Sequence, residues 1–107
     1  MPGFLANADA IKAKGVDTIA CISVNDPFVM GAWGKDQKVG DKILMVSDGN
    51  AEFTHAMGLT LDASRNGLGT RSQRYAMIVE DGVIKDLLVE KPGAFEASTA
   101  ENVLKHL

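Results

Sequence analysis

The run Ile19-Ala20-Cys21-Ile22-Ser23-Val24, followed at once by Asn25-Asp26-Pro27, constrains this chain more than any other stretch. Its six residues are rich in β-branched side chains and hold no Gly or Pro. They are predicted to form a strand buried on both faces, the kind found inside a parallel sheet. Asp26 and Pro27 then predict a helix start. An aspartate there accepts from a free amide of the first turn, and proline loses nothing where no donor is needed. Phe28, Val29, Ala32 and Trp33 fall close to one face of that helix. A strand end running straight into a helix start is where open α/β sheets place ligands. Cys21, the only cysteine, lies inside the strand.

The flanking segments fit an α/β chain. Residues 3–14 are predicted as one helix, with Phe4, Ala8 and Ile11 on its apolar stripe, Lys12 and Lys14 in its last turn, and Gly15 as its stop. Beyond Gly40-Asp41, residues 42–46 (Lys-Ile-Leu-Met-Val) read as a second strand. Ser47-Asp48-Gly49-Asn50 then leads into a short helix over 51–57. Residues 58–73, with Gly58, Gly67 and Gly69, read as a long ordered loop of the functional kind. Two strands, 74–80 and 83–89, flank Asp81-Gly82, a strong hairpin pattern. Ser98-Thr99-Ala100-Glu101 has the form of a capping box before a terminal helix carrying Val103, Leu104 and Leu107.

At 107 residues the chain makes a single domain, 1–107, without repeats or linkers. A net charge of −3 with no cluster of Lys or Arg argues against a nucleic-acid or anionic-membrane surface. No apolar run reaches the ~20 residues of a membrane span. Residues 1–5 do not begin a secretory leader, so a reduced, cytoplasmic setting is expected, with an organelle left open. One cysteine cannot form an internal disulfide, and with His55 and His106 far apart it cannot build a zinc site.

The predicted order places a helix first, with no strand ahead of it to cross over from. Helix–strand–helix, then a hairpin and a helix, is the body of a thioredoxin-like domain without its first strands. The residues sharpen this. Pro2-Gly3-Phe4, Lys12-Ala13-Lys14-Gly15-Val16, the segment from Cys21 to Val29, and Trp33 resemble the type II, glutaredoxin-linked peroxiredoxins. Gly67-Leu68-Gly69, Arg71-Ser72-Gln73-Arg74-Tyr75 and Asp81-Gly82 are similar to later segments of the same family. The resemblance covers essentially the whole chain, in order.

It implies a thioredoxin-like three-layer α/β/α fold, here incomplete, lacking its first strands and its central strand. The implied activity is reduction of hydrogen peroxide and alkyl hydroperoxides through a cysteine thiolate, without metal or other cofactor. The implied partners are the hydroperoxide, a glutaredoxin or thioredoxin, and a second copy in a homodimer. The family's hallmark, Pro-x-x-x-Thr-x-x-Cys, belongs just ahead of Pro-Gly-Phe, which begins here at residue 2, and Met1 stands at an apolar position of the family's first major helix. The chain is therefore expected to match the carboxy-terminal two-thirds of such an enzyme and to be inactive alone. Two alternatives are a non-catalytic dimerising module, and a chain in which Cys21 has become the working thiol.

The resemblance assigns Arg74 the role of the arginine that stabilises the thiolate and polarises the peroxide, with Arg71 ranked second. Cys21 is expected to be a buried structural thiol. Thr18 precedes it by three, but Lys14 stands where the hallmark needs proline. Some type II relatives carry a second, non-peroxidatic thiol at this position, so Cys21 is also the candidate secondary thiol. Ala97 occupies the region where the animal enzymes carry a resolving cysteine. Leu61 and Leu68 resemble apolar residues at the substrate mouth, with loop anchoring an equal reading. Phe28, Trp33 and the methionines read as core or dimer packing, His55 as a surface residue and Asp26 as a cap. Without a central strand, the strands bearing Cys21 and Arg74 are expected to have open inner edges, leaving the chain marginally stable or self-associating.

Overall fold

The computed structural model describes residues 2–107. The expectation for Met1 lies outside them. The chain opens with two short helices, α1 (Pro2–Ala6) and α2 (Ala8–Ala13), in place of the single helix expected. The break falls at Asn7, whose amide side chain donates to Gly3 O at 2.7 Å alongside its own backbone N–H at 3.1 Å. A short amide side chain that competes for a helix carbonyl in this way loosens the turn. Ala8 and Ile11 are buried, and Gly15 ends the helix in the left-handed region at φ 96°.

Strand β1 (Ala20–Ser23) runs parallel to β2 (Leu44–Ser47), with Cys21 opposite Met45. Between them α3 (Pro27–Gln37) starts as its sequence requires: Asp26 Oδ1 accepts from Val29 N at 2.8 Å and Pro27 takes the first position. The buried face of α3 is different from the one expected. Met30 and Gly34 point inward, whereas Phe28 is 86 % exposed and Val29 48 %. The contact with β2 explains this, because α3 approaches so closely that a Cβ at Gly34 would lie 3.0 Å from Met45 Cγ. Met30, four residues before Gly34, lies on the same side of the helix.

The short helix α4 (Glu52–Ala56) follows β2. Residues 58–73 are a small hairpin where a loop was expected. β3 (Thr60–Asp62) pairs antiparallel with β4 (Thr70–Ser72) around a 3-10 turn at Ser64–Asn66. Each strand has only three residues, too few for alternation to show, and the glycines serve the turn: Gly67 sits at φ 72°. β5 (Tyr75–Glu80) and β6 (Val83–Val89) form the expected hairpin. Asp81 and Gly82 both have positive φ, 51° and 76°, which matches the twist of the flanking strands.

The terminal helix α5 (Ala100–His106) is capped one residue later than the sequence suggested. Thr99 Oγ1 accepts from Asn102 N at 3.1 Å, while Ser98 is turned toward Glu90. The capping box from Ser98 to Glu101 is therefore not formed.

Among the described residues six strands make three separate two-stranded sheets. Among the described residues β1 pairs with β2 alone and β5 with β6 alone, so one edge of each is open, as expected. Burial of β1 on both faces is not observed: Ala20 is exposed and Cys21, Ile22 and Ser23 are only half-buried. A strand partnered on one side cannot be shielded like a central one. Among the described residues no helix is long and apolar enough to cross a membrane.

Candidate functional site

Arg74 is the second of the two residues, Gln73 and Arg74, that join the β3–β4 hairpin to the β5–β6 hairpin. On one side Gln73 N donates to Leu59 O at 2.8 Å, extending the β3–β4 pairing. On the other, Arg74 O accepts from Glu90 N at 2.9 Å, extending the β5–β6 pairing by one rung. The Arg74 carbonyl and the neighbouring Gln73 amide are thus each bonded to a different hairpin just ahead of β5, and the Arg74 side chain is exposed. Its guanidinium carbon lies 4.8 Å from the centre of the Phe95 ring. None of the described side chains or carbonyls takes a hydrogen bond from that guanidinium.

Arg71, the second candidate, is committed to structure. Its Nη1 donates to Val24 O at 2.6 Å and to Asn25 Oδ1 at 2.9 Å, and its Nε to Leu68 O at 2.9 Å. These bonds tie the β3–β4 hairpin to the carboxyl end of β1. The two arginines differ chemically: one has spent its donors on carbonyls, the other keeps them free.

Leu61 and Leu68 lie on the hairpin that Arg71 anchors. Leu61 stands opposite Arg71 in the register, and the Leu68 carbonyl accepts from Arg71. Both side chains are exposed, at 46 % and 53 %. Cys21 is half-buried on β1, and burial pushes its thiol above the usual value, which keeps it protonated near neutral pH.

Asp48, at the carboxyl end of β2, is one of the residues that sequence reasoning passed over. It is buried and accepts from Phe53 N at 3.1 Å, from Thr54 N at 2.8 Å and from the Thr54 hydroxyl. The Thr54 hydroxyl bond, together with the backbone amides, holds its carboxyl below the ordinary range against the opposing effect of burial. Tyr75, next to Arg74, carries a buried hydroxyl with no partner among the described residues. Burial, then the charges of Asp48 and Cys21, push that phenol up.

Glu90 was also passed over. Burial disfavours its charge, yet bonds from Ser98 N and Oγ, Ala97 N and Glu96 N outweigh that and bring its carboxyl to about 2. In the sequence, Glu90 looks like one more charge at a strand end. Its partners lie six to eight residues ahead, beyond the reach of any cap or pairwise spacing rule. Among the described residues no group of three or more His, Cys, Asp or Glu is placed to hold a metal ion.

This geometry can be set beside known proteins. Residues 1–104 match the redoxin family. Peroxiredoxin-2E, chloroplastic, of Arabidopsis thaliana is 51 % identical over 109 residues, covering all of this chain and 47 % of the relative. Peroxiredoxin-2B of the same plant is 47 % identical over 107 residues, with 66 % of its length covered. Reduced Prx3 of Vibrio vulnificus, solved in complex with hydrogen peroxide, superposes with a TM-score of 0.94 at 55 % identity, over 99 % of this chain and 68 % of that one. The chain thus spans about half to two-thirds of the curated relatives it matches. The fold is thioredoxin-like, in the peroxiredoxin form, with the open edges of β1 and β5 marking where it is partial. This chain belongs to the redoxin family, on its peroxiredoxin branch.

Proposed function

We propose that this chain is the arginine-bearing part of a thiol peroxidase acting on hydrogen peroxide and alkyl hydroperoxides. The observation that carries the reading is the placement of Arg74. Its carbonyl is bonded to Glu90 and the adjoining Gln73 amide to Leu59, its guanidinium is set against an aromatic face, and none of the described residues takes a hydrogen bond from it. A fixed cation of this kind lowers the pKa of a neighbouring thiol. It also stabilises the negative charge that grows on the leaving oxygen.

In the reaction the thiolate sulfur attacks one peroxide oxygen, the O–O bond breaks, and the sulfur becomes a sulfenic acid. The other oxygen leaves with a proton as water or alcohol. A reductant of the glutaredoxin or thioredoxin kind then returns the sulfur to the thiol. The attacking cysteine belongs to the Pro-x-x-x-Thr-x-x-Cys segment that the family places just ahead of Pro2-Gly3-Phe4. Cys21 is a poor substitute, since its burial favours the neutral thiol. Leu61 and Leu68, exposed on the hairpin below Arg71, suit the apolar rim through which an alkyl hydroperoxide would approach. Assembly as a homodimer and residence in the cytoplasm or an organelle belong to the same reading.

The test is gain of function. The chain is fused behind the cysteine-bearing segment of Vibrio vulnificus Prx3, the relative solved with hydrogen peroxide. Peroxide consumption is then followed with glutaredoxin or thioredoxin as reductant. Turnover by the fusion, and none by residues 1–107 alone, is the expected result. A folded fusion without turnover would sink the proposal.

A further inference from the structure

We infer that Phe95, held by the Glu90 carboxylate, is the positioning residue for the Arg74 guanidinium; the functional weight of this inference rests on the catalytic reading of Arg74. An exposed arginine side chain samples many rotamers, and a guanidinium that must meet both a thiolate and a peroxide needs a fixed orientation. Most arginines are fixed by spending their N–H groups, as Arg71 does on Val24 O, Asn25 Oδ1 and Leu68 O. Arg74 is oriented another way. The face of the Phe95 ring, 4.8 Å from the guanidinium carbon, attracts the cation and limits its tilt. The N–H edge stays free for a ligand. A carboxylate partner would also have oriented the group, but it would have neutralised the charge that the chemistry uses.

The ring must itself be held, because Phe95 is 57 % exposed and lies in the segment between β6 and α5. Glu90 supplies that restraint. Its Oε2 accepts from Glu96 N at 2.8 Å, from Ser98 N at 2.8 Å and from Ser98 Oγ at 2.7 Å, and its Oε1 accepts from Ala97 N at 2.9 Å. These bonds begin at the residue directly after Phe95. Below them Asn102 Nδ2 donates to Ala97 O at 2.7 Å, joining the segment to α5. Glu90 N also donates to Arg74 O. One residue therefore fixes the Arg74 backbone with its amide and the Phe95 segment with its carboxylate. The distance between cation and ring is set through that single point.

The contact can be read on the isotope-labelled chain through the arginine side-chain Nε–H resonances, with Arg74→Lys giving the assignment. Phe95→Leu should remove the ring-current displacement of the Arg74 signal, while Phe95→Tyr should keep it. Glu90→Gln, which turns an amide NH2 toward backbone donors, should reduce it. The Arg71 signal should stay in place throughout. If Phe95→Leu fails to fold, Phe95→Trp serves instead, and its larger ring should displace the Arg74 signal further. An Arg74 resonance indifferent to the ring would overturn the inference.

A kinetic arm uses the peroxidase fusion. Phe95→Leu should lower the rate with peroxide several-fold and Phe95→Tyr should restore it. In an Arg74→Ala background, Phe95→Leu should cost nothing more. An additive loss would also overturn positioning. An unchanged rate in Arg74→Ala would instead remove the catalytic reading of Arg74, with the resonance data still deciding whether the ring orients it.

Discussion

Replacing Thr54 by valine removes one hydroxyl from a buried polar cluster and leaves side-chain shape almost unchanged. Thr54 is 2 % exposed and Asp48 7 %. The hydroxyl and the backbone N–H of Thr54 both donate to Asp48 Oδ2, and Phe53 N donates to Oδ1. A hydrogen bond to an ionised group is worth about 1.5–3 kcal/mol. Two backbone amides remain on the carboxylate after the substitution, and the added methyl recovers up to about 0.8 kcal/mol of burial. The net expected loss is about 1–2 kcal/mol, large against the ~5–15 kcal/mol that holds a whole domain. Urea titration at neutral pH, followed by Trp33 fluorescence, should show the midpoint lowered by roughly 1 M for a slope of about 1–3 kcal/mol/M. The pH dependence gives an independent check. The folded carboxyl of Asp48 lies below its ordinary value, so its stabilising contribution is complete above an unfolded pKa of about 3.9 and fades as pH falls through the folded value. The gap between wild type and Thr54→Val should therefore be flat from neutral pH to about pH 5 and narrow in acid. An unchanged midpoint at neutral pH, or a gap that persists in strong acid, would refute the assignment.

Further outcomes follow from the same geometry. Glu90, with its carboxyl at about 2, should hold the segment 91–99 against limited proteolysis at every pH above the ordinary carboxyl range, and protection should fall only as pH drops toward that value. Glu90→Gln should show the acid-like cleavage already at neutral pH, and equal cleavage of the two proteins would count against the clamp. Asp26→Ala should cost about 1 kcal/mol by freeing Val29 N, measurable as a lower urea midpoint with an unchanged slope. A loss within error would show that Pro27 alone starts the helix. Cys21, its thiol raised by burial, should react with maleimide more slowly than free cysteine at neutral pH and freely in denaturant. Rapid labelling of the folded chain would reopen the reading of Cys21 as a working thiol.

The parts of the fold legible in the sequence are those set by local chemistry. Asp26-Pro27 starts a helix, Gly15 stops one and Asp81-Gly82 turns a hairpin, because in each case the residues that decide are neighbours. Legibility failed where a distant partner decides. Met30 and Gly34, not Phe28 and Val29, face inward, and β2 comes close to the helix at Met45. Ser98 abandons the capping box because Glu90 competes for it, and the cap shifts to Thr99. The β3–β4 hairpin is too short to show a period of two and is held together with β1 by Arg71, more than forty residues away from its partner Val24. Of the proposed site, Arg74 comes from the family resemblance alone. Its stacking on Phe95 was not legible, since nothing in the spacing of residues 74 and 95 foretells that they meet.

Arg74 is the one catalytic group that this chain is proposed to contribute, and the rate of peroxide reduction by the fusion tests it most directly. Arg74→Ala should lower the second-order rate with hydrogen peroxide by about 100-fold or more, the usual cost of removing a preorganised donor at a developing charge. Arg74→Lys should recover only part of it, because an ammonium keeps the charge but loses the planar fork. Near-UV dichroism should be unchanged in both. A well-folded Arg74→Ala fusion that reduces peroxide at the parent rate would contradict the account.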